Sequence, residues 1–406
     1  MTIKYSFFAL ILVLSVSACD QTEQNIKTSE TTKDLDTVAK ELAQSTIIVD
    51  GHIDVPYRLN NVWDDVTVAT EGGDFDYPRA MTGGLNAPFM SIYTPASMEA
   101  EGTSKAHADK MIDIVEKIVA TAPDKFTIVR NPDEVEAAFK NGLIALPLGM
   151  ENGSPIEGDM ANLMHFYERG IRYITLAHSL SNHLSDSSYD KERKWNGLSE
   201  FGVQVVEKMN ELGIMVDVSH LSDKAFWHVL KVSKAPVIAS HSSARHFVPG
   251  FERNMDDEMI KALGKNGGVI MINYGSGFIT EAANVHHVEK MKAYKLWLED
   301  NKLEAGDEHY ETFAKTFRAQ PFADISDVLN HIEHVIKLTG STDFVGLGSD
   351  YDGVGDSLPT GLKDVSTYPN LVKGLLERGY SADDVKKILS GNVMRVWRQV
   401  EAQANR

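Results

Sequence analysis

Eight short apolar runs, most of them ending in a histidine or an acidic residue, constrain this chain of 406 residues more than any other feature. They are residues 47–54, 88–94, 143–152, 173–178, 214–220, 236–241, 268–274 and 344–350. Between most of them lie segments with helical period: Asp159 to Arg169, Leu198 to Leu212, Ser222 to Val232 and Asp256 to Leu263. Ser222 has the character of an N-cap and Gly213 that of a C-cap. Strands that alternate with helices pair in parallel through right-handed crossovers. Eight such units predict an α/β fold closed into a (β/α)8 TIM barrel, with its chemistry at the C-terminal ends of the strands. An open doubly wound sheet is the competing architecture, but it gathers its site at one switch point instead of spreading it over six strands.

The residues that finish the runs share one chemistry. In IIVDGHID, strand alternation sends His52 and Asp54 to the same face, a metal half-site. Glu151, His178, His220, His241 and Asp350 close later runs. Imidazole and carboxylate suit zinc, whose catalytic sites keep one position open for water. Glu151 has two oxygens, so it can bridge two cations: His52, Asp54 and Glu151 on one side, Glu151, His220 and His241 on the other. Two such ions, about 3.5–4 Å apart, can share a hydroxide nucleophile and polarise a scissile carbonyl, which fits amide hydrolysis. Asp352 is expected to support Asp350, while the pairs His286/His287 and His331/His334 fall in helical segments and are expected to serve packing or solvent exposure.

Composition narrows the partners. A hydrophobic fraction of 43% is enough for a full barrel core, and a net charge of −18 repels a phosphate backbone, so nucleic acid is excluded as a partner. No Gly-rich phosphate loop of the Walker or dinucleotide type is present. Lys4, the apolar stretch Phe7 to Val16 and the ending Val16-Ser17-Ala18-Cys19 read as an export signal, too short for an ordinary membrane-spanning helix. The ending resembles a bacterial lipobox, in which Cys19 is lipidated. Residues 1–18 are then a signal peptide, 19–36 a lipidated cysteine with a flexible tether, and 37–406 the catalytic barrel with a helical insertion at about 281–322. This predicts an exported protein, lipid-anchored on the periplasmic side of a bacterial membrane. Cys19 is the only cysteine, so no disulfide, thiol nucleophile or thiolate metal site remains.

At this point the motifs resemble a known family. DGHID at Asp50 to Asp54, GMENG at Gly149 to Gly153, TLAHS around His178, DVSHLS around His220, PVIASHSSAR around His241, ERN at Glu252 to Asn254 and GLGSDYDG at Gly346 to Gly353 are together similar to the zinc-dependent membrane (renal) dipeptidases of peptidase family M19. The likeness runs from about Ile47 to Val400. It implies two zinc ions held by His52, Asp54, Glu151, His220 and His241, with Glu151 bridging. It implies that His178 contacts the substrate near the scissile carbonyl and that Arg253 receives the C-terminal carboxylate of the dipeptide. Asp350 is implied to take the proton of the bridging water and return it to the leaving amine. Cleavage of L-D as well as L-L dipeptides, and of some β-lactams, follows by analogy alone.

Two rival readings differ in testable ways. Many binuclear amidohydrolases begin with HxH and bridge their metals through a carbamylated lysine. Here the first motif is HxD and no lysine lies between Lys140 and Lys191. A zinc-binding solute-binding lipoprotein would need a closed coordination shell and no Asp350. The chain departs from mammalian members in lacking their cysteines, so a homodimer would form without disulfides. The segment at 281–322, with Tyr294, Trp297 and Tyr310, is expected to be a helical pair that roofs the pocket or meets a second copy.

Overall fold

The computed structural model describes residues 34–304 and 307–404, so Cys19 and the signal and tether segments lie outside the described residues. Its centre is a closed barrel of eight parallel strands, the TIM-barrel architecture that the run pattern predicts. Ten strands occur in chain order: β1 (Val49–Ile53), β2 (Ala87–Tyr93), β3 (Phe126–Ile128), β4 (Ile144–Leu146), β5 (Leu148–Glu151), β6 (Ile171–Thr175), β7 (Met215–Asp217), β8 (Ile238–Ala239), β9 (Val269–Ile272) and β10 (Val345–Leu347). Around the barrel they run β1-β10-β9-β8-β7-β6-β5-β2.

One expected strand is two. The apolar run 143–152 breaks at Pro147, which has no N–H for a ladder. Ile144–Leu146 pairs with β3 in a separate two-stranded sheet, and only β5 joins the barrel.

The helices between strands start and stop where their punctuation says. Ser199 and Ser222 accept N-cap hydrogen bonds from Gly202 and Ala225, and Asp256 caps Asp257–Asn266 through Met259. Gly213 and Gly267 end their helices at φ 77 and 84, in the left-handed region where a Cβ is disfavoured.

Inside the barrel, period two sorts the side chains into layers. Phe89, Tyr173, Met215 and Met271 form an apolar lower layer, closed from below by Trp397 of the C-terminal helix Asn392–Ala404. The Phe89 and Trp397 rings lie 5.3 Å apart. Two residues further along their strands, Thr175, Asp217 and Asn273 are buried and polar. The apolar layer thus gives way to a polar one toward the C-terminal mouth, where the strand ends deliver the site.

Two helices, Glu281–Asn301 and Asp307–Ala314, occupy most of the segment expected to be a helical pair. They have a small core of their own, Tyr294, Leu298 and Phe313, against which Trp297, Tyr310 and Phe317 pack. Among the described residues no helix is long and apolar enough to cross a membrane.

Candidate metal centre

The side chains at the barrel mouth converge on Glu151, the last residue of β5. Its Oε2 lies 3.4 Å from His52 Nε2, and its Oε1 lies 3.1 Å from His220 Nε2 and 3.2 Å from His241 Nε2. Asp54 Oδ2 stands 3.4 Å from the same His52 nitrogen. His178 Nε2 approaches Glu151 Oε1 at 3.5 Å. Glu151, His52, Asp54, His220 and His241 are all buried.

Most of these residues sit just beyond their strands. β6 ends at Thr175, three residues before His178, and β7 at Asp217, three before His220. β10 ends at Leu347, before Asp350. Once the ladder stops, the backbone is free to turn, and His220 and Asp350 take φ of 67 and 64. Asp54 also lies past its strand, as the residue before the helix Val55–Asn61, so its convergence with His52 comes from the turn as well as from alternation.

The tautomers follow from hydrogen bonds. Tyr173 donates its single O–H to Gly51 O at 3.1 Å and lies 2.8 Å from His52 Nδ1, so it accepts from His52 Nδ1–H. His52 Nε2 is then a bare lone pair, buried without a hydrogen-bond partner and facing two carboxylates. On the other side Ser240 Oγ donates to Asp217 Oδ2 at 2.6 Å and lies 2.7 Å from His241 Nδ1, which leaves His241 Nε2 bare as well. His220 Nε2 and His241 Nε2 stand 2.8 Å apart at one carboxylate oxygen.

Electrostatics give the same answer. Burial by itself lowers the pKa of His52, but Tyr173, Glu151 and Asp54 outweigh it and push it well above the ordinary imidazole value. The pocket demands positive charge at Nε2. Burial first, then Arg253 and His178, hold His220 well below its ordinary value, and burial with His52 does the same for His241, so both are neutral donors near pH 7. Lone pairs and carboxylates aimed at one small volume, with few protons to share among them, fit divalent cations.

Asp350 stands beside this group. Its Oδ2 accepts from Asn273 Nδ2 at 2.7 Å, and burial followed by Asp54 pushes its carboxyl up to about 8. A Cβ at Gly353 would come within 2.2 Å of Asp54 Oδ2 and 2.4 Å of Asp350 Oδ1, so only glycine lets this loop pass both carboxylates. Arg253 is buried, with Nη1 on Ser242 Oγ at 2.8 Å and Nη2 on His241 O at 2.7 Å, while Nε has no hydrogen-bond partner among the described residues. Asp352 clamps instead of binding: its carboxylate accepts from Asp74 N and Arg58 Nε, tying this loop to the helix Val55–Asn61 and the segment after it.

The remaining histidines divide. His286 is buried with Nε2 at 3.0 Å from Arg318 O, and His331 is buried between Ala244 N and Ile279 O. Both are structural. His334 meets Asp257 at 2.8 Å and stacks on His246, a contact that the helical reading of its segment does not contain.

Sequence reasoning missed the groups that hold the ligands. Asp217 accepts from Thr175 Oγ1, Ser219 N, Ser240 N and Ser240 Oγ, and thereby fixes His241 through Ser240. Tyr173 fixes His52, and Gly149 makes room for it, since a Cβ there would lie 2.0 Å from the ring. Asp50 accepts from His52 N, Ser349 N and Tyr368 OH. The signal was available for Asp217, a lone acid inside the apolar run 214–220.

The chain is similar to known proteins over most of its length. The chain is 32% identical over 363 residues to mouse (Mus musculus) Dipeptidase 3, covering 87% of this chain and 64% of that protein. It therefore spans 64% of the length of the curated relative it matches. Among solved structures, the probable dipeptidase PvdM from Pseudomonas aeruginosa superposes with a TM-score of 0.80 at 25% identity, over 91% of this chain and 99% of that one. A metallopeptidase from Rhodobacter sphaeroides, liganded with a phosphinate mimic of the dipeptide L-Ala-D-Ala, gives 0.71 at 25% identity, over 87% and 99%. The sequence profile of the membrane dipeptidases matches residues 37–406, nearly the whole described structure, and with the eight-stranded barrel it places this chain in peptidase family M19, the membrane dipeptidase family.

Proposed function

We propose that this protein is a dipeptidase that holds two zinc ions, bridged by Glu151, and hydrolyses the peptide bond of free dipeptides there. The observation that carries this reading is the division of one carboxylate, with Oε2 toward His52 and Oε1 toward His220 and His241. His52 and Asp54 would complete one site, His220 and His241 the other. When bound, two such cations supply Lewis acidity, which lowers the pKa of water to about 7 and polarises a carbonyl.

The protein's own groups then position and move protons. Asp350 takes the proton of the attacking water and returns it to the leaving amine. It is placed for this exchange by its position beside Asp54, and Asn273 Nδ2 donates to its Oδ2 and holds the carboxyl in place. His178, kept neutral because burial lowers its pKa, donates to the substrate carbonyl oxygen as negative charge develops there. Arg253 receives the C-terminal carboxylate. Two of its nitrogens are held by Ser242 and His241, so its fork is fixed before substrate arrives, and Nε remains to donate.

The phosphinate mimic in the Rhodobacter sphaeroides structure supports an L-D dipeptide as one substrate. The lipobox-like ending at Cys19 supports export and a lipid anchor on the periplasmic side. Replacing Cys19 with Ala should release the protein from membranes in a fractionation experiment. The activity is tested by metal content measured alongside a panel of dipeptides and N-acylated amino acids. We expect two zinc ions per chain and cleavage of dipeptides, L-Ala-D-Ala among them. Turnover that survives exhaustive chelation unchanged overturns the proposal.

A further inference from the structure

A second set of metal-competent side chains lies outside the barrel mouth. His246 belongs to the short turn Arg245–Phe247, Asp257 opens the helix Asp257–Asn266, and His334 sits in the helix Ile325–Thr339. His334 Nε2 is 2.8 Å from Asp257 Oδ1. The His246 and His334 rings are stacked, with centroids 4.4 Å apart and planes 16° from parallel. One nitrogen from each histidine and one oxygen of Asp257 lie within 4.8 Å of one another. The neighbouring His331 takes no part, because Ala244 N and Ile279 O occupy both its nitrogens.

We propose that His246, Asp257 and His334 form an accessory divalent-cation site, distinct from the centre at Glu151. Two imidazoles and one carboxylate on one face are a borderline donor set suited to Zn²⁺, Co²⁺ or Ni²⁺, with the remaining positions left to water. His246 is exposed, and its ring takes no hydrogen bond from a described residue, so it is free to turn its nitrogen onto a cation. His334 is largely buried and already aimed at Asp257, which fixes two of the three ligands beforehand. Phe247 supports this geometry from the side, with its ring 5.5 Å from His334 and 4.4 Å from His331.

The placement gives the site a consequence. His246 and Asp257 stand at the two ends of the segment that contains Glu252 and Arg253, and His334 belongs to a separate helix. A cation held by all three would fasten both ends of that segment to the helix.

The test is zinc bound at saturation, counted by equilibrium dialysis and elemental analysis, for wild type, His246→Ala, His334→Ala and the double variant. Each variant should bind one equivalent fewer than wild type, and His246→Ala should leave circular dichroism unchanged, since that residue is on the surface. The zinc-dependent rise in melting temperature should shrink in the variants. The proposal fails if the count is the same in wild type and the double variant, whether the melting temperature moves or not. It stands apart from the reading of the Glu151 centre, because loss of that centre's ions would change all four proteins equally.

Discussion

The two sides of Glu151 are anchored differently. On one side His52 is held from behind by a phenol, Tyr173, and Asp54 stands in direct contact with the ligand nitrogen. On the other side His241 is held through Ser240 by a carboxylate, Asp217, while His220 Nδ1 is buried with no hydrogen-bond partner among the described residues. Each side therefore has an acidic group besides Glu151, Asp54 in contact on one and Asp217 at one remove on the other, and Asp350 stands beside Asp54. A neutral anchor accompanies the charged ligand, and a charged anchor accompanies the two neutral ones. An acidic group thus supports each side even though the ligand sets are unlike, and buried groups that orient metal ligands also tune their basicity. His220 lacks such an anchor and is fixed by its left-handed backbone instead.

The first way to break this comparison is to remove the shared group. Glu151→Ala should abolish binding of both cations and all peptidase activity, read by elemental analysis and dipeptide turnover. Retention of one tightly held cation would mean that Glu151 belongs to one side only. Asp350→Asn is the converse, because Asp350 is assigned to proton transfer and not to holding metal. It should keep both cations and lower kcat by about 10²–10⁴-fold. Empty sites in that variant would make Asp350 part of the metal shell and the division of labour wrong.

Arg253→Ala removes none of the residues assigned to hold metal. Removing a charged hydrogen-bond partner of the substrate costs about 1.5–3 kcal/mol, so KM for free dipeptides should rise about 10- to 100-fold. Substrates with an amidated C-terminus should hardly change. Equal damage to both would point to collapse of His241 and Ser242, which the guanidinium also holds.

How far this comparison could be read from sequence depends on which kind of residue is asked about. The barrel was legible because apolar runs and helix caps repeat, and period two and period 3.6 leave separate marks. The ligands were legible because histidine and acid recur at run ends, where a core residue has no reason to be polar. What was not legible falls into two kinds. Pro147 divides one apolar run into strands of two different sheets, and the division depends on where β3 lies, information that is not local. Tyr173, Asp217 and Ser240 look in sequence like an ordinary aromatic, a helix-cap type and a small polar residue. Their roles exist only once neighbouring strands put them against a histidine. His334 is of the same kind, since its partners His246 and Asp257 lie far away in the chain.

The smallest effects test the anchors themselves. Ser240→Ala cuts the relay from Asp217 and should weaken one cation, the one assigned to His220 and His241, by about tenfold, the low end for such supporting groups. Tyr173→Phe should weaken the other, assigned to His52 and Asp54, by a similar factor, with an additional loss of about 1–3 kcal/mol in stability because His52 Nδ1–H loses its acceptor in a buried site. Stepwise chelator titration separates the two ions, and thermal unfolding gives the stability. If the two substitutions weaken the same ion, the sides are not independent, and Glu151 would be transmitting strain between them. If Ser240→Ala does nothing, Asp217 serves only to pin the ends of β7 and β8, and the relay from Asp217 through Ser240 is lost as the anchor of His241.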